Sequence, residues 1–140
     1  MENYTTINKS TDYVNTTLIT GNNSTQAFTG LGFAPDMIWT KKRNGAANHL
    51  LYDKVRGVGK YLYPNLQNAE GGNGTDSGLS AFGTDGFTLT SGDDANGSGA
   101  TGVAWSWKAG TTGSGTTTGS GTGKAYSYSV NTTSGFSVIK

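Results

Sequence analysis

Val103-Ala104-Trp105-Ser106-Trp107-Lys108 is the stretch on which the fold turns. It alternates strictly, so in an extended chain Val103, Trp105 and Trp107 share one face and Ala104, Ser106 and Lys108 the other. A helix, with its period of 3.6, would scatter the three apolar side chains around its axis. The segment reads as a strand, and its aromatic face is expected to look into the core.

Strand signals continue on both sides. Leu79-Ser80-Ala81-Phe82 and Phe87-Thr88-Leu89-Thr90 bracket Gly83-Thr84-Asp85-Gly86, whose Asp-Gly pair predicts a hairpin. Asp36-Met37-Ile38-Trp39-Thr40-Lys41 reads as a buried strand with Trp39 as a core anchor. His49-Leu50-Leu51-Tyr52-Asp53 and Gly59-Lys60-Tyr61-Leu62-Tyr63 read as further strands, with Asp53 and Arg56 paired to order the bend before Gly57. Thr16 to Thr20 and Thr25 to Thr29 flank Gly21-Asn22-Asn23-Ser24, a loop suited to left-handed backbone angles, and are expected to form a hairpin. Leu66 to Gly78 is polar and Gly-rich, and predicts a long loop.

Composition agrees with an all-β body and narrows its chemistry. Hydrophobic residues are only 33% of the 140, while glycine fills 23 positions and aromatics reach 11%. The charged share is 14%, so the low apolar content lacks the high net charge of disordered chains. A thin core built on large rings is what an antiparallel β-sandwich with many tight turns requires. The net charge of +1 gives no field to hold nucleic acid. Cysteine is absent, which removes disulfides and thiolate metal sites. No stretch approaches the roughly 20 apolar residues of a membrane helix, and the polar opening lacks a leader's apolar segment, so neither membrane insertion nor signal-directed secretion is expected.

The chain divides by composition. Residues 1–12 form a polar arm and 13–109 the sandwich. Residues 110–124 are almost wholly Gly, Ser and Thr, which predicts a flexible linker. Residues 125–140 resume strand-like alternation. Val14-Asn15-Thr16-Thr17 is echoed by Val130-Asn131-Thr132-Thr133, so the last segment reads as the start of a second unit, with chance likeness between Thr-rich strands as the alternative.

Several segments carry a resemblance. Thr-Gly-Leu-Gly-Phe-Ala-Pro-Asp-Met-Ile-Trp (29–39), His49 to Gly57, Phe82 to Leu89 and Val103 to Gly110 resemble, in order and spacing, a domain that recurs in structural and fibre proteins of marine and cyanobacterial phages. That resemblance implies a concanavalin A-like, laminin-G-type jelly roll. It also implies a place in the virion, other virion proteins as partners, and no transferable catalytic residues.

The residues themselves offer little chemistry. The two glutamates, Glu2 and Glu70, sit in a polar terminus and a Gly-rich loop, and no strand carries two acids at i, i+2, so a glycosidase pair is not expected. His49 is the lone histidine and has no nucleophile-elbow motif beside it, so a structural role at a strand end is expected. Asp93, Asp94 and Asn96 crowd oxygen ligands into a Gly-bounded loop, which would suit calcium; an ordinary turn of the same residues is the favoured reading, and no other cofactor is expected. Tyr61 with Tyr63, and Tyr126 with Tyr128, each place two rings on one strand face for core packing, subunit contact or a host-surface glycan. The function expected is a non-enzymatic, homo-oligomeric tail-fibre or appendage module. A capsid decoration protein is second and a carbohydrate-active enzyme or lectin third.

Overall fold

The structure, a computed structural model, describes residues 7–72 and 78–140. Residues 1–6 of the polar arm and 73–77 of the expected long loop lie outside them. The strands are β1 (Val14–Thr20), β2 (Gln26–Thr29), β3 (Met37–Lys42), β4 (Leu50–Asp53), β5 (Tyr61–Leu62), β6 (Leu79–Phe82), β7 (Gly86–Leu89), β8 (Thr101–Trp107), β9 (Thr111–Thr116), β10 (Ala125–Asn131) and β11 (Phe136–Ile139). The helical elements among the described residues are two single 3-10 turns, η1 (Ser10–Asp12) and η2 (Asp94–Asn96).

Every strand pair is antiparallel. A five-stranded sheet runs β1-β8-β3-β4-β5, a three-stranded sheet runs β2-β7-β6, and a second three-stranded sheet runs β11-β10-β9. The first two pack face to face as an all-β sandwich. Their core joins Ile19, Ile38, Leu50, Tyr52 and Ala104 of the larger sheet to Leu79, Phe87 and Leu89 of the smaller, with Leu31 and Phe33 closing one side. Phe28 stacks on Phe87 across β2 and β7, with centroids 5.3 Å apart.

The Asp-Gly hairpin forms as β6–β7, closed by Gly83 N–H donating to Gly86 C=O at 2.7 Å. The Arg56 guanidinium pairs with Asp53, and its backbone N–H donates to Asp53 Oδ1 at 2.8 Å, holding the bend that ends at Gly57. Asn23 takes the left-handed conformation expected of its loop, with φ 57°.

The hairpin expected around that loop does not form. β1 pairs with β8, β2 pairs with β7, and the loop carries the chain from one sheet to the other. It is pinned to the 91–100 loop: Gly21 N–H donates to Ala100 C=O and Asn23 N–H to Asn96 C=O, both at 2.8 Å. Gly21 is needed there, because a Cβ would lie 2.2 Å from the Gly97 carbonyl oxygen.

Strand β8 also reverses the expected inside and outside. Ala104 and Ser106 have no exposed surface, whereas of the face expected inside Trp105 and Trp107 are half-buried and Val103, though buried, lies outside the core cluster. The reason is lateral space. Turn η2 lies against the inner face of β8, and a Cβ on Gly102 would sit 2.7 Å from Ala95 Cβ and 3.3 Å from Ile19 Cβ. Only small side chains fit, so the indoles point outward. Trp39, paired with Trp105 across β3 and β8, is on the same outer face instead of anchoring the core.

The Gly/Ser/Thr tract, expected to be a flexible linker, supplies β9. Tyr126 is in register with Gly115 and Tyr128 with Gly113. Each ring lies over its glycine, so that a Cβ on Gly113 would be 2.4 Å from the Tyr128 hydroxyl and one on Gly115 2.7 Å from the Tyr126 hydroxyl. Two aromatic rings thus provide the cover that the tract's own composition lacks. The two echoed segments adopt different structures. Val14 to Thr17 is continuous strand, while Asn131 ends β10 and its Oδ1 accepts from the N–H groups of Thr133 and Ser134 in a turn.

The C-terminal sheet is joined to the sandwich through buried polar contacts. Ser129 Oγ donates to Asp36 Oδ1 at 3.2 Å, Ala109 N–H donates to Asp36 Oδ2 at 2.9 Å, and Asn131 Nδ2 donates to Ala109 C=O at 3.2 Å. Phe136 stacks on Trp107 at 6.2 Å.

Candidate functional site: an aromatic groove on the outer sheet face

The register of β1, β8 and β3 determines what the outer face presents. Thr16, Trp105 and Trp39 form one row, Val14, Trp107 and Met37 a second, and Leu18, Val103 and Lys41 a third. Lys41 is the charged residue among these nine, and its ammonium donates to the Lys42 carbonyl at 2.8 Å. Leu18, 69% exposed, is the most exposed large hydrophobic residue described.

Trp39, Trp105, Trp107 and His49 line a groove of about 350 Å³ whose wall is almost wholly apolar. Each ring is held by a neighbour. Trp39 Nε1–H donates to His49 Nδ1 at 3.0 Å, which places the proton of the neutral imidazole on Nε2. Trp105 meets Trp39 edge-on at 5.8 Å and 64°, and Phe136 backs Trp107. His49 is in turn tethered through its backbone N–H to Asn65 Oδ1 at 3.0 Å. The groove therefore presents large rigid rings whose rotamers are already set, which lowers the entropy cost of binding. A row of small residues at Gly102, Ala104 and Ser106 is the sequence signal that could have located it.

The residues singled out from the sequence are dispersed. Tyr61 and Tyr63 lie at the sandwich edge, packed on the core, with their rings edge-to-face at 5.1 Å and their hydroxyls 3.2 Å apart. Gly71 pairs with Tyr61 and lies against its ring, so the ring is no open platform. The hydrogen bond with Tyr63, then burial, pushes the Tyr61 phenol up to about 12. Tyr126 and Tyr128 stack at 6.3 Å over the glycines of β9.

Asp93 and Asn96 turn inward. Asp93 Oδ2 accepts from Thr40 Oγ1 at 2.7 Å and Tyr52 Oη at 2.9 Å, and Oδ1 accepts from Ala95 N–H at 2.8 Å. Burial raises the Asp93 carboxyl above its ordinary value, opposed by those three donors. Burial, then Asp93, raises the Tyr52 phenol well above its own. Asn96 Nδ2 donates to Ser24 C=O and Thr90 C=O, and its Oδ1 accepts from Gln26. Asp94 is exposed. Among the described residues, no three His, Asp or Glu side chains converge as a metal site.

A family model described as a domain of unknown function (DUF7483) matches residues 9–140. No curated protein and no solved structure matches the chain.

Proposed function

The chain belongs to the DUF7483 domain family, and we propose that it is a non-enzymatic module of a phage particle, a tail-fibre or appendage component that works through surface contacts with other virion proteins. The observation that carries this reading is the outer face of the five-stranded sheet, where pre-set, half-buried indoles line an open apolar groove instead of filling the core. The phage context rests on the ordered resemblance of four segments to virion domains.

The polar groups support a contact role over catalysis. Asp36 accepts from Ala109 and Ser129, Asp53 is paired with Arg56, and Asp93 is bound by three donors, so these buried carboxylates are structural partners. His49 already accepts from Trp39 through Nδ1.

Gold-labelled antibody to this chain, applied to intact particles and imaged by negative stain, tests the proposal. Label on fibres or appendages is the expected result. Label on the shell would instead make it a decoration protein, and particles free of label would overturn the virion role.

A further inference from the structure

We infer that the outer face of the five-stranded sheet is a self-association surface, on which Leu18 of one copy enters the Trp39–Trp105–Trp107–His49 groove of a second. This inference deepens the contact reading by naming the partner, and it can be tested without a particle.

The argument begins with complementarity. The face carries both a hole, the apolar groove of about 350 Å³, and a knob, Leu18 at 69% exposure. They are separated by one strand position and one row of the register, since Leu18 pairs with Val103 and Trp105 lies two residues further along β8. Any two points on a flat face are exchanged by a two-fold axis lying in the plane midway between them. One face holding both features therefore suffices for a closed, isologous pair in which each contact is made twice.

Chemistry selects the occupant. The groove wall offers almost no polar atom, so a sugar's hydroxyls would lose water without replacement partners, and a charged ligand would be worse placed. A leucine side chain needs none. Val14, at 39% exposure, extends the apolar surface along the same strand and would be covered by the same contact.

Size sets the strength. Strands of seven, seven, six, four and two residues, at about 3.4 Å per residue and about 4.8 Å between strands, make a face of roughly 400 Å² in projection. That falls below the roughly 800 Å² per partner of a standard stable interface. The association should be reversible and concentration-dependent.

All three tryptophans of the chain line the groove, so tryptophan emission, excited apart from tyrosine, reports on this face. Sedimentation velocity of the full chain across a micromolar to submillimolar series should show a monomer–dimer equilibrium, with tryptophan emission moving to shorter wavelength as dimer forms. Leu18→Glu, at an exposed position that leaves the fold intact by circular dichroism, should stay monomeric with unshifted emission. Because the chain lacks cysteine, Leu18→Cys mixed with His49→Cys under a mild added thiol oxidant should form a disulfide-linked heterodimer faster than either variant links to itself. A protein that remains monomeric with constant emission throughout overturns the inference, as would a dimer indifferent to Leu18→Glu. Glycan-array binding that quenches the tryptophans, with no dimer formed, would reassign the groove to a sugar. None of these outcomes bears on where antibody labels the particle, so the two readings fail separately.

Discussion

The Tyr128 ring occupies the space a side chain on Gly113 would need: a Cβ built there lies 2.4 Å from the phenol oxygen and 2.5 Å from the ring carbon that bears it. Tyr126 stands in the same relation to Gly115 two pairs along. The glycines of β9 are thus places kept clear for rings, and the rings are what order the strand.

Gly113→Val should therefore cost about 1–3 kcal/mol, since the Tyr128 ring must swing off its strand to admit it. Ser114→Ala, on the exposed opposite face, should fall within about 0.5 kcal/mol of the parent. Chemical denaturation of the pair checks this. Hydrogen exchange offers a second view, with ladder amides of 111–116 protected and those of 118–123 exchanging freely.

Placement of the small-residue face inside β8 makes a prediction opposite to the one its alternation first suggests. Ala104→Leu should destabilise by at least about 1–3 kcal/mol, because Ala104 is fully enclosed in the core. Were Ala104 on the surface, the same change would register within about 0.5 kcal/mol. Thermal melts decide between them.

Removing the Asp93 carboxylate should leave the Thr40 and Tyr52 hydroxyls and the Ala95 N–H without their acceptor, and Asp93→Ala should cost roughly 2–3 kcal/mol. Asp93→Asn should cost far less, since its Oδ1 still serves Ala95 while the two hydroxyls turn to accept from the new amide.

Linkage adds a pH signature to that position. With its folded value raised above 3.8, Asp93 contributes stability that is fully present below about 3.8 and lost as pH climbs through the raised value. The stability of Asp93→Asn relative to the parent should therefore rise from pH 3 toward neutrality. A flat difference across that range would contradict the assignment.

Tyr61 supplies the alkaline counterpart. Its phenol, held up to about 12 by Tyr63 and by burial, should ionise roughly two pH units after an ordinary tyrosine in an absorbance titration at 295 nm. The stability it contributes is complete below about 10 and is lost as pH rises through 12. Tyr63→Phe removes the hydroxyl that raises it most, and should bring that titration earlier.

Calcium at millimolar concentration should leave the melting midpoint unchanged. A native-state site would raise it, but Asp93 and Asn96 already spend their side-chain oxygens on internal donors.

Alternation and turn chemistry determined the elements from the sequence alone: strands where β1 to β8, β10 and β11 lie, the Asp-Gly hairpin, the Asp53–Arg56 bend and the all-β class. Each is written within a few neighbouring residues. Only the tertiary structure decided which face of Val103 to Trp107 is buried, where β1 and β2 pair, and whether the Gly/Ser/Thr tract is ordered. A period of two defines two faces without saying which one meets the core. That choice depends on η2 lying against Gly102, just as the order of β9 depends on Tyr126 and Tyr128 of β10. Both are contacts between residues apart in sequence, and the first leaves three tryptophans expected in the core half-buried on the outer face.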